Sequence, residues 1–127
     1  MKIYFLLLFI PFVSCNTAPC ENFKADAKKY GEQFEKVHLK YINDNKDNLT
    51  DEKILHGMDS IARLFFVDKN IILIQKYPRC NQSVISLNYI KQEISKKQLK
   101  ALLVTIPREF KSDTNYVAIE HFLKFKL

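Results

Sequence analysis

The side chains able to do chemistry are three cysteines, three histidines and fourteen carboxylates in a chain of 127 residues. Their spacing decides what they can do. Cys15, Cys20 and Cys80 never form the Cys-x-x-Cys spacing that redox and zinc sites use. His38, His56 and His121 are too far apart for the i, i+4 relation that sets two metal ligands on one helical face. Glu120 and His121 are neighbours, so on a helix they point about 100° apart and cannot act as a catalytic pair. Glu32 and Glu35 could in principle serve as paired acids, which need a cleft between them. Both fall on a polar helical face beside Lys28 and Lys36, the pattern of solubilising residues. Gly31 and Gly57 are the only glycines, which excludes a GxSxG nucleophile turn, a P-loop and a dinucleotide fingerprint. The expectation is a protein with no catalytic residues, no metal and no cofactor, which is not an enzyme.

The cysteines acquire meaning from the N-terminus. Residues 1–14, "MKIYFLLLFIPFVS", place Lys2 before an unbroken apolar run from Ile3 to Val13. That is the charged and hydrophobic layout of an export signal. The run falls short of the roughly 20 residues a membrane span requires. The tetrad Phe12-Val13-Ser14-Cys15 resembles the lipobox of bacterial lipoproteins: Ser14 and Cys15 match, and Phe12 stands where leucine is usual. The resemblance implies that Cys15 becomes the first residue of the mature chain and carries its lipid. Asn16, in place of the aspartate that commonly retains such proteins at the inner membrane, implies an outer-membrane lipoprotein facing the periplasm. Without that processing the protein is secreted. With Cys15 lipidated, Cys20 and Cys80 remain as a pair in an oxidising compartment, where a disulfide is the natural outcome.

Behind these residues the chain divides into the leader (1–14), a short tether (15–21) and one helical domain (22–127). Scarcity of glycine and apolar spacings of three and four predict an all-α bundle of five or six helices with short connections. Phe23, Ala27, Tyr30, Phe34, Val37 and Tyr41 form the first stripe, with Asn22 as a capping candidate and Gly31 as a candidate for close packing. Thr50 caps a second helix with Ile54, Met58, Ile61 and Phe65 inward, broadened by Leu55, Ala62 and Phe66. Phe65 and Phe66 are adjacent, so at least one must leave the centre of that stripe. The run Ile71 to Ile74 reads as a helix ending before Pro78, with a short strand as the alternative. Val84, Leu87, Ile90 and Ile94 mark the next segment. Leu99, Leu102, Leu103 and Ile106 then lie between a Ser95 cap and Pro107. Asp113 caps a last helix with Tyr116, Ile119, Leu123 and Leu127 inward.

Net charge is +6, carried mainly by dispersed lysines. Only three arginines occur (Arg63, Arg79 and Arg108), and they are scattered, which together with the export signal disfavours nucleic acid as a partner. The densest basic patch is Lys91, Lys96, Lys97 and Lys100. Positive charge suits a protein partner that is acidic where it docks. The best anchors are Tyr77 and Arg79, fixed beside Cys80, with Tyr89, Lys96 and Lys97 nearby. The expected function is that of a small exported protein that binds and masks a protein partner, in the manner of an inhibitor or immunity protein. A carrier of an apolar ligand or lipid is the alternative, and it would need a continuous cavity lined by Phe65, Ile72 and Leu103. Asn48 and Asn81 head Asn-x-Ser/Thr triplets, which are glycan acceptors only in a eukaryotic secretory route.

Overall fold

A chain with apolar residues every three or four positions satisfies its backbone most readily in amphipathic helices, which then bury their stripes against one another. The computed structural model describes residues 18–125 and has this form. The leader, the lipobox and Cys15 lie outside the described residues, as does Leu127. Helix α1 spans Ala18–Asn45, α2 Asp51–Arg63, α3 Lys69–Lys76, α4 Asn81–Ile90, α5 Lys96–Thr105 and α6 Thr114–Lys124. A π turn, Leu64–Asp68, joins α2 to α3 without a break, so the described residues form five helical rods. A 3-10 turn, Arg108–Phe110, lies between α5 and α6. No helix among the described residues is long and apolar enough to cross a membrane.

Local chemistry sets most of the helix ends. Thr50 Oγ1 accepts from the Lys53 amide, Ser95 Oγ from Gln98 and Asp113 Oδ1 from Asn115, each satisfying a first-turn N–H. Such caps contribute about 1 kcal/mol apiece. Helix α3 ends at Lys76 because Tyr77 precedes Pro78 and takes φ −127°, ψ 56°. The run Ile71–Ile74 is therefore helical, continuous with the rod before it. Helix α1 begins at Ala18, four residues before the Asn22 expected to cap it. Pro19 is tolerated there because a first-turn N–H has no partner in the helix, and Glu21 favours the positive end of the helix dipole.

The core lies in the second half of the chain. Ile74, Val84, Leu87, Ile90, Leu99, Leu102, Leu103, Ile106, Tyr116 and Ile119 form one buried cluster from α3 to α6. Burial also raises the Tyr116 hydroxyl above its usual pKa. A smaller cluster joins α1 to this body: Phe23, Leu73 and Cys80 are buried, with Cys20, Ala27, Tyr30 and Tyr77 packed around them. Cys20 and Cys80 are disulfide-bonded, with their Cα atoms 5.0 Å apart. The bond closes a loop 60 residues long, for which chain entropy gives about 4 kcal/mol.

Beyond this junction, α1 and α2 form a thin arm in which no α2 residue is fully buried. The α1 stripe shifts along the arm. Val37 is exposed, and His38 occupies the seam in its place, its ring stacked on Phe34 at 5.2 Å. At 100° per residue Val37 lies about 60° to the side of a seam running through Phe34, His38 and Tyr41.

The close-packed glycine is Gly57, not Gly31. A Cβ on Gly57 would overlap the Tyr41 ring, whereas one on Gly31 would meet nothing within 4 Å. Gly31→Ala should therefore stabilise the protein by about 1 kcal/mol through helix propensity alone. Gly57→Ala should lower stability, because the ring must leave its seat and give up the hydrogen bond from Tyr41 to the Lys53 carbonyl, 3.3 Å long. Thermal unfolding followed by circular dichroism measures both, and the two shifts should have opposite signs.

Candidate functional site

Helix α4 buries Val84, Leu87 and Ile90, so of the two residues between the last pair, Asn88 and Tyr89, the one about 200° around the helix from Leu87 must face away from the core. That residue is Tyr89, and 83% of it is exposed. The π turn does the same for Phe66 on the facing rod. Its i→i+5 bond, from the Lys69 amide to the Leu64 carbonyl, adds a residue to the turn. The side chain of Asn70 donates to the Phe66 carbonyl at 2.8 Å, satisfying an acceptor within the turn. Phe65 thus turns inward, 5.7 Å from Phe34, while the Phe66 ring packs 5.0 Å from Phe34 and remains 56% exposed.

Between the rod and α4 runs an open groove of about 590 Å³. Ala62, Phe66 and Val67 line one side, and Ser86, Tyr89 and Ile90 line the other. Arg63 bridges one end: its guanidinium donates to the Glu93 carbonyl at 3.0 Å and faces the Glu93 carboxylate at 3.7 Å. Both partners are more than half exposed, so the pair is worth at most about 1 kcal/mol and positions more than it stabilises. Asp59 stands on the lip. The arrangement offers two aromatic faces, an arginine tied to Glu93, and the Asp59 carboxylate. Its volume is that of small-molecule and peptide grooves. Among the described residues no three His, Cys, Asp or Glu side chains gather to hold a metal ion.

The residues singled out from sequence do not form one patch. Tyr89 lies in the groove. Tyr77 and Arg79 lie by the disulfide at the opposite end of α4, about 14 Å along the helix. Tyr77 is half-buried and engaged internally: its hydroxyl donates to Asp26 at 2.6 Å, and its ring meets Phe23 edge-on at 6.2 Å. Arg79 is exposed. Lys96 is half-buried at the start of α5, where its ammonium donates to the Phe125 carbonyl and lies 5.7 Å from the centre of the Phe122 ring. Lys97 beside it is exposed. Phe65, Ile72 and Leu103 do not line a common cavity: Leu103 belongs to the main core, Phe65 faces α1, and Ile72 is 41% exposed. Arg63, Asp59 and Glu93 carry no sequence signal of their own. Phe66 does, through its adjacency to Phe65.

Compared with known protein families, with curated proteins and with solved structures, the chain matches none.

Electrostatics is concentrated at the α1–α3 junction. Lys76 donates to the same Asp26 oxygen as Tyr77, at 2.8 Å. The Lys76 hydrogen bond first, and the Tyr77 hydrogen bond second, hold the Asp26 carboxyl below its ordinary value. The Asp26 bond in turn holds the Lys76 ammonium above the usual lysine range. A depressed carboxyl contributes stability that is fully present above its unfolded value of 3.8 and is lost as pH falls through the lower folded value. The lysine contribution persists through neutral pH and disappears only in strong alkali. The difference in urea midpoint between the native protein and Asp26→Asn should hold steady from neutral to mildly acidic pH. It should then shrink below pH 3.8.

Proposed function

We propose that this is an exported binding protein without catalytic activity, anchored to the outer membrane by lipid on Cys15, that docks a protein partner in the groove between the α2–α3 rod and α4. Bound there, it would mask the surface it covers. One observation carries the reading: Tyr89 and Phe66 are exposed on opposite sides of a groove whose end is tied by Arg63 and Glu93. Two exposed aromatics that flank one groove form a contiguous apolar patch of the kind a partner covers. The helix that carries Tyr89 begins at the disulfide-bonded Cys80, so the anchor is held in place before binding and little ordering cost remains. The titratable groups of the groove are exposed or paired with each other, which favours recognition over acid–base work. The positive net charge favours a partner whose wider surface is acidic.

The docking reading is tested by a photo-reactive amino acid at position 89, with position 104 as control because Val104 is equally exposed, at 84%. In envelope extract, position 89 should give a discrete covalent adduct that position 104 lacks. Excess unlabelled native protein should compete it away, and the Phe66→Ala protein should not. Equal labelling from both positions would overturn the assignment. Anchoring is tested by intact mass after production in a diderm bacterium: the chain should begin at Cys15, carry added acyl mass and lack two hydrogen atoms until the disulfide is reduced.

A further inference from the structure

Helix α6 is apolar on two sides, and the core uses only one. Tyr116 and Ile119 are buried and Leu123 packs against the main cluster, which accounts for the inner side. Outside, Val117 and Phe125 are half exposed or more, and together with Ala118 and Phe122 they line a trough of about 610 Å³ against the C-terminal end of α4. Val117, His121 and the C-cap residue Phe125 recur at intervals of four, so they form one stripe along about two turns. A short helix with a second apolar stripe has more buried surface available than its own bundle supplies.

Among the described residues the trough lining includes Lys91 and His121 and no Asp or Glu side chain. The Lys91 ammonium is steadied by Asn88 Oδ1 at 2.6 Å, which occupies one of its three donors. The His121 ring packs on Phe125 at 4.5 Å. Lys96 closes the far end through the Phe125 carbonyl and the Phe122 ring, with Lys97 beside it. The nearby acids are engaged or turned elsewhere: Glu93 faces Arg63, Asp113 caps α6, and Glu120 sits outside the trough lining.

We propose that the α4–α6 trough is a second docking surface, and that its occupant is an acidic amphipathic helix of a protein. Apolar side chains of that helix would cover Val117, Phe122 and Phe125, and its carboxylates would reach Lys91 and Lys96. The trough runs along α6 with Lys91 in its lining and Lys96 at the Phe125 end, a pattern that the apolar face and carboxylates of a helix match. An embedded helix fills such a shape. The proposal stands independently of the groove beside Phe66.

Two synthetic helical peptides with the same leucine face test it, one with glutamates on its polar face and one with lysines, alongside vesicles of anionic phospholipid. The oxidised protein should bind the glutamate peptide, and affinity should fall at least about tenfold when salt is raised well above physiological strength. Val117→Glu, at a half-exposed position, should weaken binding about tenfold or more by setting a carboxylate against the peptide's own, with thermal unfolding by circular dichroism matching the native protein. Lys91→Gln should weaken it less, and Tyr89→Ala should leave it unchanged. Equal binding of the lysine peptide, binding to vesicles alone, or full affinity in Val117→Glu would overturn the proposal. Loss of binding in Tyr89→Ala would move the site to the other groove and overturn it too.

Discussion

The bond between Cys20 and Cys80 is the constraint on which the rest of the arrangement depends. Helix α1 meets the body through a cluster of only three buried residues, Phe23, Leu73 and Cys80, and one of these is the disulfide itself. Dispersion and hydrophobic contact at so small a junction would scarcely balance the entropy of ordering a helix of 28 residues. Cross-linking its first turn to the start of α4 removes much of that cost from the folded state's side of the comparison, because the unfolded chain is constrained as well. The Asp26 carboxylate then fixes the register, accepting from Tyr77 and Lys76 at once.

Everything beyond that junction is held by its geometry. The arm of α1 and α2 buries no α2 residue completely, so its position depends on the rod it continues into and on the pinned end of α1. The rod runs from α2 to α3 through the π turn. Within it Phe65 faces α1 and Val67 faces the α4 side, with Phe66 left between them. The by-product is an outward Phe66. Helix α4 makes a similar compromise, since burying Leu87 and Ile90 forces Tyr89 into solvent. Two local necessities thus face each other across one groove.

On the other side of α4 the same helix meets α6, and the electrostatic character changes. The groove near Phe66 contains both signs of charge, with Arg63 tied to Glu93 and Asp59 on the lip. The trough near Phe125 is lined mainly by apolar side chains, with Lys91 and His121 and, among the described residues, no Asp or Glu side chain. A small bundle with a modest core has few ways to cover so many aromatics, and those it leaves exposed collect beside α4. The uniform net charge read from composition hides this division, because it sums over faces that a partner meets one at a time.

Much of this was legible in the residues, for identifiable reasons. Capping is local, so Thr50, Ser95 and Asp113 announced their helices, and Pro78 and Pro107 announced the ends. Periodicity is local too, so Leu99, Leu102, Leu103 and Ile106 could be placed inside, and the parity of thiols paired Cys20 with Cys80. What sequence alone could not decide was which of several permitted faces found a neighbour. Val37 and His38 compete for one seam, and only the position of α2 chooses His38. Gly31 and Gly57 are alike in sequence, and only the approach of Tyr41 separates them. Tyr77 has the makings of a free anchor until Asp26, 51 residues away, takes its hydroxyl. Helix positions, helix ends and the covalent bond follow from interactions between near neighbours and from composition. The groove, the trough and the seat of each aromatic follow from contacts between distant segments, whose energies exist only once the helices are packed.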